Sequence, residues 1–244
     1  MIPHPEVLLV IGMVALYLYD SALLLASNEA VLSGGKKRWG ALFGADNVPL
    51  RNKEPLIPNP LLPHHPLYRF SWKMEGQSSG SAPPWTPPVN SYARLALPIW
   101  FMFLGLFVLF PLGVFVFGPW VWLAGMALFY VNALLALTLV WLNRANYAVG
   151  KQRFAALVFE CLACPPFALN LVRHLSLQFK PAEDFIAVIN QCLGETEREA
   201  ALTKIARRLR HALDWEAENS PRAAALAAHL QTIESALCRA SKSS

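Results

Sequence analysis

Cys161 and Cys164 form a C-x-x-C, the spacing of thiol-disulfide exchangers and of half a zinc site. Zinc would need two further ligands, yet no second C-x-x-C exists and His174 is the nearest histidine. Exchange chemistry needs a thiol whose pKa is lowered by a helix amino terminus or a neighbouring cation. Glu160 lies beside the pair and the flanking residues are apolar, and both influences raise a thiol pKa. The two cysteines therefore read as small apolar groups that pack helices. A membrane thiol-disulfide oxidoreductase working through Cys161 and Cys164 is the alternative.

Four polar side chains interrupt long apolar stretches: Asp20, Asn132, Glu160 and Asn170. An ionisable group at membrane depth is expensive and suggests function. Arg144, Lys151 and Arg153 stand at a level where they could pair with Asp20 and Glu160, so a structural ion pair is the expectation. A small oligomeric transporter is a further alternative, but the outer half of the spans offers no chain of polar groups for a relay. His64 and His65 are adjacent, a spacing that does not let both ligate one ion, and read as exposed loop residues. Neither a metal nor a cofactor is expected. Lys204, Arg207, Arg208 and Arg210 lie on one polar stretch that could touch anionic lipid headgroups or a protein partner. Glu195, Glu197, Glu199, Asp214, Glu216 and Glu218 balance that charge and argue against nucleic acid. No P-loop, dinucleotide fingerprint, G-x-S-x-G or H-E-x-x-H occurs.

The elements that must hold these residues are dominated by Leu95 to Leu142, which contains no Asp, Glu, Lys or Arg. It reads LALPIWFMFLGLFVLFPLGVFVF, then Gly118-Pro119, then WVWLAGMALFYVNALLALTLVWL. At about 1.5 Å per residue, each half crosses the roughly 30 Å hydrocarbon core of a bilayer. Gly-Pro between them marks the reversal. A chain that is 55% hydrophobic and only 15% charged fits the same class, since soluble domains carry about 25% charged residues. Four cysteines are too few and too unevenly placed for a secreted disulfide framework.

Residues 1–27 form a short amino terminus and a first transmembrane helix over Glu6–Ser27, an uncleaved anchor with Asp20 about two-thirds along it. The Lys36-Lys37-Arg38 cluster beyond it places the amino terminus outside and the next segment in the cytoplasm. Residues 28–94 form a proline-rich cytoplasmic loop (PLIPNPLLPHHP, then APPWTPP), for which long helices and central strands are not expected. GQSSGSA within it reads as a flexible joint. Its many large apolar residues, Trp39, Phe43, Phe70, Trp72 and Trp85 among them, imply that the loop lies on something. Residues 95–142 are the transmembrane hairpin. Residues 143–179 join a basic connector to a re-entrant or fourth membrane segment, broken by Pro165-Pro166 and basic at both ends.

Residues 180–244 read as a cytoplasmic tail of three amphipathic helices. Pro181 starts the first and Gly194 stops it. A Thr196–Glu199 capping box opens the second, striped by Leu202, Ile205, Leu209 and Leu213. Ser220-Pro221 opens the third, striped by Leu226, Leu230, Ile233 and Leu237, and the final SKSS reads as frayed. The expected fold class is thus an all-α integral membrane protein with about three transmembrane helices, a re-entrant or interfacial segment, the loop and the tail. The expected function is a non-enzymatic membrane subunit, in a bacterial inner membrane, that anchors or organises a larger assembly. Its expected partners are the bilayer and other membrane or cytoplasmic subunits.

Overall fold

The computed structural model describes residues 5–34, 39–45, 53–73, 85, 89–179, 184–217 and 220–240. The Lys36-Lys37-Arg38 cluster, the GQSSGSA joint, Pro181 and the final SKSS lie outside the described residues. The chain is mainly helical and divides into two compact units that interleave along the sequence. Residues 1–23, 57–67 and 88–179 make the first unit, and residues 24–56, 68–87 and 180–244 the second.

In the first unit, helix α1 covers Pro5–Ser21. It ends six residues short of the Ser27 boundary expected from hydropathy. Asp20 therefore sits in its last turn, where Ser21 Oγ donates to the Tyr17 carbonyl at 2.7 Å. After the short helix α2 (Val89–Ala93), α3 (Ala96–Leu104) and α4 (Phe110–Leu112) alternate with π-type turns at Gly105–Leu109 and Gly113–Phe117. Pro111 has no N–H to give to the preceding turn, and the slip to i→i−5 bonding on both sides accommodates it. Gly118 then turns the chain at φ 84°, a conformation that suits glycine alone, and Pro119 begins helix α5 (Pro119–Leu142).

Ser91–Phe117, at 27 residues, and Pro119–Leu142, at 24, are each long and apolar enough to cross a bilayer. The two arms touch where glycine removes the side chain. A Cβ on Gly105 would lie 2.6 Å from the Gly125 carbonyl oxygen, and one on Gly113 would lie 2.1 Å from the Trp122 amide nitrogen. Such close backbone approach is how apolar helices associate where water supplies no driving force. Beyond α5, the chain forms α6 (Lys151–Ala163), α7 (Pro165–Leu169) and α8 (Leu171–Leu177). At 13 residues α6 is only about 20 Å long, short of a span. Cys164 is extended and Pro165 opens α7, so the double proline starts a new helix instead of kinking an old one.

The second unit corrects the all-α expectation. Strands β1 (Leu23–Leu25), β2 (Glu29–Gly34), β3 (Trp39–Leu42), β4 (Glu54–Leu56) and β5 (Leu67–Ser71) lie largely in the stretch read as an extended loop. They form a β1–β4 pair and a three-stranded sheet in the order β3-β2-β5. β2 and β3 run antiparallel, with Val31 opposite Leu42 and Gly34 opposite Trp39. The three-stranded sheet can form because no proline falls within β2, β3 or β5, so their ladder donors are intact, while Pro55 lies in β4 of the two-stranded pair.

Helices α9 (Phe185–Cys192), α10 (Glu195–Asp214) and α11 (Pro221–Ala240) complete the unit. Gly194 is the amino-terminal cap of α10, and the Thr196–Glu199 box is not used: Thr196 bonds Glu197 instead. Ser220 does cap α11, its Oγ accepting from the Ala223 amide at 2.9 Å. Tyr68, Phe70, Trp72 and Trp85 are buried with Phe185, and edge-on ring pairs at 5.0 Å link Trp85 to Tyr68 and Phe70.

The glycine contacts make a direct prediction. Gly113→Val should destabilise the hairpin by at least about 1–3 kcal/mol, the usual cost of overpacking. Gly12→Ala, in α1 with open space around it, should be neutral or slightly stabilising. Thermal unfolding of the two variants in mild detergent checks the contrast.

Candidate functional site

The first unit gathers its polar groups into one buried cluster. Asn170 lies between α7 and α8, and the next turn presents Arg173 and His174 on the same face at i+3 and i+4. Opposite them, the last turn of α1 offers Tyr17, Asp20 and Ser21. Asp20 Oδ2 accepts from Asn170 Nδ2 at 2.8 Å and lies 2.9 Å from His174 Nε2. Arg173 Nη1 donates to Ser21 Oγ at 2.8 Å and to Asn170 Oδ1 at 3.1 Å. Its Nη2 reaches two main-chain carbonyls of the proline segment, Asn59 at 2.7 Å and Leu62 at 3.4 Å. Tyr17 Oη donates to the Pro60 carbonyl, and Ser176 Oγ accepts from the Leu67 amide at 2.8 Å. The cluster thus fastens residues 57–67 to α1 and α8.

Neighbouring ring contacts fix the level of this cluster within the unit. Tyr17 packs on Phe107 at 5.3 Å between centroids, and His64 on Trp100 at 5.6 Å. The last turns of α1, which carry Tyr17 and Asp20, therefore lie alongside the Ser91–Phe117 arm. Arg144, Lys151 and Arg153 follow the far end of α5; none of them is the partner of Asp20, which meets His174, whereas an Arg153–Glu160 pair of the kind expected from sequence does form. Arg144 stacks on Trp141 at 4.7 Å, and Arg153 bonds Glu160 at 3.2 Å. Asn132 turns back on its own helix, donating to the Leu128 carbonyl at 2.8 Å. His64 and His65 are half-buried and not exposed, meet edge to face at 4.6 Å, and are pushed below the usual histidine pKa by burial.

These geometries limit the chemistry available. An aspartate oriented against an imidazole is half of a general-base arrangement, but a nucleophile must complete it. Ser21 Oγ is occupied by Tyr17, Asn170 and Arg173. Cys161 and Cys164 are free thiols, and Cys161 is buried with the Glu160 carboxylate next to it, a setting that favours the neutral thiol. That is the wrong direction for thiolate chemistry. Among the described residues no three His, Cys, Asp or Glu side chains converge on a metal position.

In the second unit the basic stretch of α10 divides. Arg208 is not at the surface: it is buried beside Ile205 and Leu209. It pairs with Glu54 and donates to the carbonyls of Ser27 and Glu29 at 3.2 Å and of Gly44 at 3.4 Å. Its guanidinium also lies over Phe43 at 5.1 Å and Trp72 at 5.8 Å. Lys204, Arg207 and Arg210 are exposed, with Lys204 over the Phe43 ring at 5.4 Å and Arg210 bonded to Glu234. Glu29 binds Arg69 and the Ala26 amide; burial raises its pKa, but those bonds win and hold it below the ordinary 4.5.

No protein-family model, curated protein or solved structure matches this chain.

Two predictions follow from the geometry. Arg173→Met should cost about 3–5 kcal/mol, because it strands buried partners. Asp20→Asn should be milder than Asp20→Leu, since an amide still accepts from its neighbours. Unfolding of the three variants in detergent tests the order. The second concerns acid. A carboxylate with a lowered folded pKa stabilises the fold above its unfolded value and loses that contribution as pH falls through the folded value. Glu29→Gln should therefore be less stable than wild type at pH 7, and the gap should close as pH drops below 4.5. Melts followed by tryptophan fluorescence across that range measure it.

Proposed function

We propose that this chain is a non-enzymatic integral membrane subunit that anchors or organises a larger assembly. The hairpin is the anchor, and the sheet-and-helix unit is the part that meets partners at the cytoplasmic face. One observation carries the reading. Leu97, Val116, Phe117, Trp120, Val131 and Leu142 of the hairpin are between 65% and 83% exposed, with no charged side chain along either arm from Leu95 to Leu142. A surface of that size and composition needs hydrocarbon or another apolar protein against it. The helices of a soluble core would bury most of such a face, whereas here 28% and 33% of the two apolar windows are buried.

The basic residues after α5, together with Lys36-Lys37-Arg38, support an orientation with the amino terminus outside and residues 28–94 and 180–244 in the cytoplasm, as in a bacterial inner membrane. α6 supports the re-entrant reading of the next segment. Phe154 packs on Trp141 near the end of α5, Leu162 accepts from Tyr130 well inside it at 3.5 Å, and the chain then breaks at Cys164-Pro165. An anchor role is also consistent with a polar cluster whose groups are occupied in holding elements together.

Reporter fusions at Lys73 and Ser244, alkaline carbonate extraction, and affinity purification in mild detergent test this reading together. Cytoplasmic reporters, resistance to carbonate and stoichiometric co-eluting proteins are expected. Release by carbonate would defeat the membrane reading. A carbonate-resistant protein that elutes alone would defeat the subunit reading.

A further inference from the structure

The first unit contains an open groove of about 670 Å³ between α5 and α6. Leu134, Leu137 and Trp141 form one wall, and Phe154 and Val158 the other. Its composition changes along its length. Leu134 and Val158 lie at one end. At the other, Trp141 and Phe154 pack at 4.9 Å, Lys151 lines the opening, and Arg144 lies 4.7 Å above the Trp141 ring. The groove is therefore apolar along its floor and cationic at one mouth. Among the described residues neither cation pairs with a carboxylate; Arg153, the next basic residue, is the one that binds Glu160.

We propose that this groove binds an anionic phospholipid, with an acyl chain along Leu134, Leu137 and Val158 and the phosphate between Lys151 and Arg144. The inference rests on the membrane reading above, which sets that mouth at the cytoplasmic headgroup level. Three features select this occupant. The volume lies within the range of small-molecule sites. A tryptophan at the mouth suits the boundary between hydrocarbon and headgroup, where its ring is apolar and its N–H is wet. Two cations at the polar end complement a phosphate bearing net negative charge, and basic pockets between membrane helices on the cytoplasmic side bind such headgroups. An uncharged apolar partner helix would fill the floor equally well but would leave Lys151 and Arg144 without a counter-charge.

The test uses the full chain in mild detergent, stripped of endogenous lipid. It is offered equal amounts of phosphatidylglycerol and phosphatidylcholine with the same acyl chains, and native mass spectrometry reads the bound fraction. Phosphatidylglycerol should be retained preferentially, and Lys151→Gln should cut that preference about fivefold, the worth of one cation near an anionic surface. Arg144→Gln should act similarly. Ala155→Trp, at an exposed position lining the groove, should reduce retention of both lipids. Equal retention of the two lipids by the wild type would overturn the proposal, as would an unchanged preference in Lys151→Gln/Arg144→Gln. A protein that carbonate releases from membranes fails at the underlying membrane reading instead, a result separable from loss of lipid selectivity.

Discussion

Main-chain carbonyls left open at strand ends and in irregular segments must find donors elsewhere, and two buried arginines supply them. A buried carbonyl without a partner is costly, and beside Asn59 and Leu62 the prolines Pro58, Pro60 and Pro63 withhold the neighbouring N–H groups. Arg173 answers for Asn59 and Leu62 in the first unit, and Arg208 for Ser27, Glu29 and Gly44 in the second. Guanidinium suits the task because its five donors fan out in a plane and can serve several acceptors at once. Each arginine is then balanced locally, Arg208 by Glu54 and Arg173 by a cluster containing Asp20. The irregular segments are ordered because two cations hold them in place.

Much of the architecture was legible from composition. The uncharged run from Leu95 to Leu142 fixes the hairpin and its turn, and the break at Pro165-Pro166 follows from the missing donors of proline. Ser220-Pro221 announced a helix that does start there. The strands were hidden because residues 28–94 were judged as a block. Taken alone, Tyr68, Phe70 and Trp72 alternate with polar residues at the period of a strand, and all three are buried. Their neighbours to either side carry the prolines that obscured the pattern.

The site was less legible for a related reason. Asp20 stood out as a carboxylate in an apolar run, but its partners come from a segment some 150 residues away whose membrane role was ambiguous. Asn170, Arg173 and His174 share a helical face at i, i+3 and i+4, a spacing that could have nominated them once α8 was taken as helical. Arg208 was masked by its surroundings: four other basic residues made its helix look wholly solvated. Yet it falls between Ile205 and Leu209 on the apolar stripe, so its position in the helical period, and not its charge, decides where it goes.

The interleaving of the two units has a consequence for how the protein is made. Strands β2, β3 and β5 leave the ribosome before the hairpin, but Phe185 and Arg208, which pack into their aromatic core, follow after it. Glu54 and the carbonyls of Ser27 and Gly44 therefore wait for Arg208 through the synthesis of at least some 150 residues, a stretch that includes the whole apolar hairpin. Nascent chains of this protein pass through a long interval in which the hairpin has been made and this folding step cannot be completed, and any truncation before α10 would make that interval permanent.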